Sequence, residues 1–429
     1  MTTEILLLII SFLLLLGIGL PVGWSIGLSS LFTLLLSMDS LPAVTTMAQR
    51  MATGIDSFAL LAIPFFILAG QIMNHGGIAK RMIAFARSLV GAMPGGLAHV
   101  NIIAAMLFGA ISGSAAAAAS AMGSMLSKEM KEEGYSKEFG AAVNITSSTT
   151  GLVIPPSNIL IVYSLASGGV SIAALFLAGY IPGILTGLAL MMAATVYAIR
   201  KRYPTGRRTN LKTIINTFWR AFPSLFLLVV VIGGIVAGIF TATEASGIAV
   251  IYTIVLSWFY KELTITKIRL IMLESVKTTA VVMLLVATSM GLSWVMSYAD
   301  IPQTVSNNLL TLTENPVIIL LIINLILLAV GVFMDMTPAV LIFTPIFLPV
   351  AESIGMDPIH FGIMMVLNLC IGLCTPPVGT VLFIGVGVAN TSIEKVLKPL
   401  IPLFIVMLMV LLLVAYIPGL SLWLPGLIN

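Results

Sequence analysis

Two short segments, each built around a pair of prolines, are the residues of this sequence best suited to chemistry. The first is GLVIPPSN (151–158) and the second is GLCTPPVG (372–379), which begins 221 residues later. Each lies inside a run apolar enough for a membrane helix, and a proline there removes an amide donor and clashes with the carbonyl one turn back. We therefore expect both helices to unwind locally and to leave backbone carbonyls free. Such carbonyls can bind a hard monovalent cation such as Na⁺.

Hydroxyl side chains stand beside both proline pairs. The segment NITSSTTG (144–151) leads into the first pair, and Thr375 and Thr380 flank the second. Their oxygens are further ligands for a hard cation. The alternative is a proline kink that serves packing only, and the repetition of a di-proline break at a fixed spacing argues against it. The sequence therefore predicts two related cation sites.

A second pair of breaks predicts two helical hairpins, over 97–127 and 317–350. The first is interrupted at SGS (112–114) and the second at DMTP (335–338), which leaves arms of roughly fifteen residues, fewer than the ~20 that cross a bilayer. We expect both hairpins to be re-entrant. Non-helical backbone at membrane depth is tolerated only where protein buries it or where it lines a wet cavity. Each hairpin tip should therefore lie against an unwound helix.

Pairing each tip with the break in its own half gives the candidate residues. Residues 112–114 should approach 149–155, and residues 335–337 should approach 372–376. The N-terminal ends of the broken helices favour an anionic substrate group between the two sites. For that anion we predict contacts from Ser114, Pro156, Ser157, Asn158, Pro377 and Gly379. Arg50 is a further candidate for a substrate carboxylate, although an anchor at the membrane interface fits its position better.

Asp335 carries the charge with the highest predicted insertion energy in the chain. A carboxylate near the midplane of a bilayer costs about 2.5 to 3.5 kcal/mol on insertion scales, so it is usually paired or functional. The alternative is a side chain that reaches the membrane surface. We expect Asp335 to bind a cation at the tip of the second hairpin.

The composition is that of an integral membrane protein. Of 429 residues 59% are hydrophobic and 8% charged, and the mean hydropathy is +1.15. Apolar runs that can span a bilayer, the first and fifth long enough for two crossings each, occur at about 4–37, 57–75, 138–166, 171–199, 222–260, 278–298, 359–390 and 399–417. The sequence has no GxxxxGK[ST], HExxH or GxSxG motif, so neither an ATP-driven pump nor a familiar intramembrane hydrolase is supported, and no enzyme is predicted.

The distribution of Lys and Arg predicts two halves of opposite orientation. Segment 78–92 holds three basic residues whereas its counterpart at 300–316 holds only acids, and 128–138 and 352–358 differ in the same way. Basic loops stay in the cytoplasm. We therefore predict an all-α integral membrane protein of two inverted-topology repeats, each with one re-entrant hairpin and one helix broken at a di-proline.

The boundaries follow from these landmarks. The first inverted repeat is predicted over 1–199, with its hairpin at 97–127 and its broken helix at 138–166. The second covers 222–429, with its hairpin at 317–350 and its broken helix at 359–390. A basic cytoplasmic linker at 200–221 joins them. A nucleic-acid site in this linker is disfavoured, because basic loops between membrane helices are what the positive-inside rule produces.

With these breaks placed, the sequence resembles the large membrane subunit of TRAP (tripartite ATP-independent periplasmic) transporters along almost its whole length. The segments that carry the resemblance are LLAIPFFILAGQIM (60–73), GAISGSAAA (109–117), GLVIPPSN, FMDMTPAVLIFTPIFLPV (333–350) and CTPPVG. The resemblance implies that one sodium site contains Ser112, Ser114, Thr149, Gly151, Val153 and Pro155. It implies that the other contains Asp335, Thr337, Gly372 and Thr375. Gly113 and Pro376, at the tip and the break, complete the predicted metal residues.

The resemblance also implies a function and partners. It implies elevator-type uptake of an organic anion driven by two or more Na⁺ ions, in the bacterial inner membrane. The implied partners are a small four-helix membrane subunit, a periplasmic substrate-binding protein and membrane lipid. Sialic acid is the favoured substrate and a C4-dicarboxylate the next. The alternative function is a sodium/dicarboxylate symporter that acts without a binding protein.

Overall fold

The computed structural model describes residues 2–206, 209–313 and 315–427 of the chain. Arg207, Arg208 and Glu314, which contribute to the charge pattern above, lie outside the described residues. The described part is built from α-helices and contains no β-strand; one isolated bridge pairs Pro94 with Thr205. Eight helices in this part are long and apolar enough to cross a membrane. The predicted all-helical membrane fold is confirmed.

Ten helices form the first half of the chain. They are α1 (Thr2–Gly17), α2 (Val22–Ser37), α3 (Ser40–Ile55), α4 (Ala62–His75), α5 (Ile78–Val90), α6 (Gly96–Ser112), α7 (Ala115–Glu132), α8 (Lys137–Thr150), α9 (Asn158–Ala166) and α10 (Ile172–Lys201). A 3-10 turn at Phe58–Leu61 precedes α4. The break between α8 and α9 covers the first di-proline segment, and the break between α6 and α7 falls at Gly113.

Ten more helices form the second half. They are α11 (Leu211–Val236), α12 (Ala242–Phe259), α13 (Ile265–Tyr298), α14 (Ile301–Leu312), α15 (Pro316–Phe333), α16 (Met336–Ser353), α17 (Pro358–Gly372), α18 (Thr380–Ala389), α19 (Ile393–Tyr416) and α20 (Gly419–Leu422). A 3-10 turn at Pro425–Leu427 follows. The break between α17 and α18 covers the second di-proline segment. The two proline pairs are both joined by cis peptide bonds.

The connection between the halves is shorter than the predicted linker. Because α10 reaches Lys201 and α11 begins at Leu211, the connection spans 202–210 rather than 200–221. Asn210, with extended backbone, is the N-cap residue of α11. The basic residues at the ends of α10 and α11 are therefore helical rather than part of the loop. Long basic side chains can reach the polar interface while the backbone continues as helix.

The hairpin arms are longer than predicted. The helices α6 and α7 have 17 and 18 residues, and α15 and α16 have 18 each. The expectation that the arms are too short to cross is therefore wrong for the second hairpin, because α15 and α16 both qualify as spans by length and composition. The helices α6 and α7 are not among the candidate spans of the described residues. The helices extend past the predicted hairpins mainly at the C-terminal ends of the second arms, where α7 continues to Glu132 and α16 to Ser353. Re-entry thus depends on where the tips lie rather than on arm length.

The helices form two packing groups. The first group comprises α1–α5 and α11–α13, in which α13 packs on α2, α3 and α4, α12 on α4, and α11 on α5. The second comprises α6–α10 and α15–α19, in which α8 contacts α6, α7, α18 and α19, and α17 contacts α15, α16 and α19. The groups meet chiefly where α4 and α5 contact α6 and where α13 contacts α16.

The two half-helices α8 and α17 form the centre of the second packing group. Every residue of α8 from Phe139 and of α17 from His360 is buried. The many hydroxyls of α8 are satisfied within its own turns, as when Thr146 Oγ1 donates to the carbonyl of Ala142 at 2.9 Å. A hydroxyl-rich helix can therefore be buried without losing hydrogen bonds.

Each hairpin touches the broken helix of its own half through a pair of glycines. A Cβ placed on Gly109 of α6 would stand 2.8 Å from the Cα of Gly151, and one placed on Gly331 of α15 would stand 3.0 Å from the Cα of Gly372. Only glycine permits two backbones to approach so closely. The two contacts involve corresponding landmarks of the two halves, and both lie where a broken helix begins to unwind.

Candidate substrate and ion site

One cavity of about 200 Å³ lies between the two hairpin tips and the two helix breaks. Its walls include the first turns of four helices: α7 through Ala115–Ala117, α9 through Asn158 and Ile159, α16 through Met336 and Thr337, and α18 through Thr380 and Val381. Both predicted regions, tips and breaks, therefore meet at a single place.

The electrostatics of this cavity are set by helix ends. An α-helix carries roughly half a positive charge at its N-terminus, where its first amides have no partner within the helix. Four such ends face the cavity, whereas no Lys, Arg or His is among the described residues that line it. Asp335 is the one charged residue in that lining. The arrangement suits an anionic group that accepts hydrogen bonds from backbone amides.

The first hairpin tip presents oxygen atoms without partners. Gly113 has a left-handed backbone with φ 60°, which ends α6 and turns the chain into α7. Ser114 caps α7, its Oγ accepting from the amide of Ala117 at 3.2 Å. The buried Oγ of Ser112 and Oδ1 of Asn158 have no hydrogen-bond partner in the described structure. Unpartnered buried oxygens are costly unless a ligand or water completes them.

The second hairpin tip supplies the carboxylate. Asp335 is exposed to the cavity as the N-cap residue of α16, and its side chain makes no capping hydrogen bond. No basic side chain among the described residues forms an ion pair with it. A carboxylate that faces a cavity between membrane helices without a cationic partner fits a role in cation binding.

The second helix break gathers backbone carbonyls. The carbonyl oxygens of Leu373 and Thr375 both lie 2.8 Å from the point where a Cβ on Gly379 would stand. They therefore converge on one small space that only glycine leaves open. The hydroxyl of Thr375 donates to the carbonyl of Ile371 at 2.8 Å, so its lone pairs remain available.

The oxygen atoms of the hairpin tips and helix breaks suit Na⁺ as ligands better than they suit a transition metal. They are neutral oxygens with one carboxylate, which is the set that a hard cation prefers. No group of three or more His, Cys, Asp or Glu residues that could hold a metal occurs in the described part of the chain. The two cysteines, Cys370 and Cys374, are free and buried.

Several predicted site residues do not line the cavity. Of the predicted ion and anion ligands, the lining contains Ser112, Gly113, Ser114, Asn158, Asp335 and Thr337. It does not contain Thr149, Gly151, Val153, Pro155, Pro156, Ser157, Gly372, Thr375, Pro376, Pro377 or Gly379. Thr149 is fully buried with its Oγ1 donating to Thr146, and Ser157 Oγ donates to the carbonyl of Leu152.

The structure does not bring Arg50 to the cavity. It lies on α3, in the first packing group, with its guanidinium carbon 5.4 Å from the centre of the Trp294 ring. A separate shallow depression with Ser57 and Leu165 surrounds it. The stacking on an aromatic ring accounts for the position of Arg50, because cation–π contact holds the guanidinium against α13.

Three polar residues of the cavity were not predicted from the sequence. Gln71 and Asn74 reach it from α4, and Thr278 reaches it from α13. A signal was present for the first two, since polar residues three apart lie on one face of a helix and interrupt the apolar run of α4. The cavity is thus walled by both packing groups.

Known transporter proteins are similar to this chain along almost its whole length. Residues 9–420 match the family model described as the tripartite ATP-independent periplasmic transporter, DctM component. A protein of Salmonella typhimurium named YgiK is 55% identical over 97% of this chain and 96% of its own length. The isethionate TRAP transporter permease DctMQ of Oleidesulfovibrio alaskensis is 42% identical over 97% of this chain and 65% of its own. The sialic acid TRAP transporter large permease SiaM of Vibrio cholerae is 39% identical over 95% of each chain.

A solved structure shares the fold. The YdaH transporter of Alcanivorax borkumensis aligns with a TM-score of 0.66 at 13% identity, over 90% of this chain and 89% of that one. The chain is a multi-pass protein of the bacterial inner membrane, in line with its candidate spans. Because the family model covers nearly the whole sequence, the chain belongs to the DctM component family of tripartite ATP-independent periplasmic transporters.

Proposed function

We propose that this protein takes up an organic anion by sodium-coupled secondary transport, and that a periplasmic binding protein delivers the anion. The observation that carries the proposal is the convergence of four helix N-termini on one cavity that has no basic side chain among its described lining. Helix ends attract an anion without holding it as tightly as a buried Arg would, which suits a site that must also release its substrate.

Sodium binding is proposed at the hairpin tips and helix breaks. On the first side the unpartnered oxygens of Ser112 and Asn158 support it, and on the second side Asp335 and the carbonyls around Gly379 do. A bound cation would neutralise Asp335 and lower the electrostatic cost of bringing an anion into the same cavity. Ion and substrate would therefore stabilise each other's binding, which is what coupled transport requires.

An elevator movement is supported by the two packing groups. The first group contributes Gln71, Asn74 and Thr278 to one wall of the cavity, whereas the tips and breaks all belong to the second group. In this proposal the second group carries the substrate and ions past the first. The inverted orientation of the two halves would make the opposite end state structurally related to the first.

Two partners complete the proposed system. The family is described as tripartite and periplasmic, and relatives are named large permease proteins. We therefore propose that this chain works with a small membrane subunit and a periplasmic binding protein. A symporter that needs no binding protein remains the alternative to be tested.

Sialic acid is the substrate that we propose to test first and a C4-dicarboxylate second. Relatives named for isethionate and for sialic acid are 42% and 39% identical, so identity does not single out a substrate. Isethionate, sialic acid and C4-dicarboxylates are all anions. The binding proteins, which capture the substrate before transport, would restrict it further.

Reconstitution tests the proposal. The chain and its small subunit are placed in proteoliposomes with an inward sodium gradient, and uptake of labelled sialic acid or succinate is measured with and without the binding protein. We expect saturable uptake that needs both the sodium gradient and the binding protein. Uptake without the binding protein would establish the stand-alone symporter, and uptake that ignores sodium would refute ion coupling.

A further inference from the structure

A basic groove of about 580 Å³ lies outside the transport cavity, where α5, α11 and the turn between α12 and α13 meet. Its basic residues are Lys80 and Arg81 on α5 and Arg220 on α11. Lys80 and Arg220 are exposed, and none of the three forms an ion pair among the residues that the structure describes. Its lining shares no residue with that of the cavity between the hairpin tips and helix breaks.

The one acid among the described residues that line the groove, Glu262, is already neutralised. The carboxylate of Glu262 accepts a hydrogen bond from Lys267 Nζ at 3.0 Å. This hydrogen bond, followed by the charges of Lys267, Lys80 and Arg81, lowers the pKa of Glu262. Because Lys267 lies outside the groove lining, the three other cations leave a net positive charge that an external anion can balance.

Arg81 is held in place with spare donors. It donates to the carbonyl of Gly77 at 2.8 Å, and its guanidinium carbon lies 3.4 Å from the centre of the Tyr260 ring. A guanidinium has five N–H donors, so several stay free in a fixed position. The buried hydroxyl of Tyr260 has no partner within the described structure. These groups are preorganised to bind a planar or tetrahedral oxyanion.

An aromatic strip continues from the groove along the membrane face of α11. It consists of Trp219, Phe222 and Phe226, which are 62%, 36% and 41% exposed. The ring of Phe222 lies 5.4 Å from that of Trp219 and 5.7 Å from that of Phe226. Trp219 belongs to both features, because it also lines the groove. A charged head and an apolar tail are thus accommodated side by side.

We propose that the groove binds an anionic phospholipid, with its phosphate at Lys80, Arg81 and Arg220 and an acyl chain along the aromatic strip. Basic pockets between membrane helices on the cytoplasmic side recognise such head groups, and tryptophan is enriched at that depth. Free phosphate would use the same cations but not the strip. Because the lipid would contact α5 and α11 together, it would hold α5, the helix that leads into the first hairpin, against α11.

The test is native mass spectrometry of the purified full chain. Phosphatidylglycerol and phosphatidylcholine of equal chain length are titrated against the wild type and two double variants. The first is Lys80→Gln with Arg220→Gln, and its control, Lys201→Gln with Lys212→Gln, removes two exposed basic residues outside the groove. Arg81 is left unchanged because it packs on Tyr260.

We expect wild type and control to prefer phosphatidylglycerol at least tenfold over phosphatidylcholine. The groove variant should bind it about 30-fold more weakly, the effect expected from removing two basic side chains near an anionic head group. Equal affinity for the two lipids, or an equal loss in the control, would overturn the proposal. Lipid binding is measured without transport, so this result is independent of the proposed function.

Two further measurements distinguish a phospholipid head group from free phosphate in the groove. Trp219→Ala with Phe226→Ala should weaken binding of long-chain phosphatidylglycerol and leave a six-carbon-chain analogue unaffected. Inorganic phosphate at millimolar concentration should not displace the lipid. Complete displacement by phosphate, or no effect of the aromatic substitutions, would assign the groove to a free anion and refute the lipid site.

Discussion

The thiol of Cys370 donates a hydrogen bond to the backbone carbonyl of Thr149, with 3.3 Å between Sγ and oxygen, and the two residues are 221 positions apart in the chain. That separation equals the offset between the two di-proline segments. The contact therefore joins α17 to α8 at corresponding positions of the two halves. Both residues are almost fully buried, so the two broken helices support each other immediately before they unwind.

This contact predicts how position 370 tolerates substitution. Cys370→Ser keeps a small donor and should change the free energy of unfolding little. Cys370→Leu adds volume to a closely packed core and should destabilise the protein by about 1–3 kcal/mol. Thermal unfolding in detergent measures both, and equal melting temperatures for the two variants would show that α8 and α17 are not closely packed there.

The glycine contacts predict a second pair of variants. Gly331→Ala places a methyl group 3.0 Å from the backbone of Gly372, which cannot move like a flexible side chain, so the second hairpin should be displaced and uptake lost. Gly247→Ala on α12 meets nothing within 4 Å and serves as the control. That control should be neutral or stabilise by up to ~1 kcal/mol. Normal uptake in Gly331→Ala would contradict the predicted role of this contact.

Neutralising Asp335 should abolish sodium-driven uptake. Asp335→Asn retains the shape and one acceptor oxygen but removes the charge that attracts the ion. We expect the variant to be inserted, to associate with the small subunit and to lose uptake at all sodium concentrations tested. Asp300→Asn, an exposed acid outside the cavity lining, should behave as wild type. Wild-type sodium dependence in Asp335→Asn would show that the carboxylate is not a sodium ligand.

The hydroxyl of Thr375 should contribute to sodium affinity. Thr375→Val removes one oxygen beside the carbonyls that converge at Gly379, and we expect roughly a tenfold loss, the equivalent of one hydrogen-bond-sized interaction of about 1.4 kcal/mol. Thr253→Val removes a buried hydroxyl that donates to the carbonyl of Ala249 on α12, in the first packing group, and should leave sodium affinity unchanged. Sodium dependence of uptake in proteoliposomes distinguishes them, and identical curves would exclude Thr375 as a ligand.

Opposite orientation of the two halves predicts labelling from opposite sides. In a chain with both native cysteines replaced, Cys at position 133 should react with an impermeant reagent only from the cytoplasm, and Cys at 352 only from outside. Both positions are exposed. Position 352 is preferable to Gly355, whose φ of 82° would strain any other residue. Reaction of both from one side would show that the halves are parallel.

The sequence by itself determined the membrane class and the positions of the hairpins and breaks. These features depend on local sequence. The apolar composition requires a lipid environment, and each proline pair or glycine changes the backbone of the turn that contains it. The helix ends around Gly113 and the two di-proline segments lie where those residues predict them. The observed bounds of the linker and of the hairpin arms differ from the predicted ones because helix ends depend on caps and on the membrane interface rather than on the ends of apolar runs.

Only the tertiary structure decided which of these features meet. Four helix N-termini share one cavity, Gln71 and Thr278 face it from the first packing group, and Arg50 stacks on Trp294 instead. These arrangements depend on packing between residues far apart in the chain. A glycine such as Gly109 shows that backbones can approach, but its partner at Gly151 is fixed only when the whole core is assembled, because close packing selects one set of contacts among many that local sequence permits.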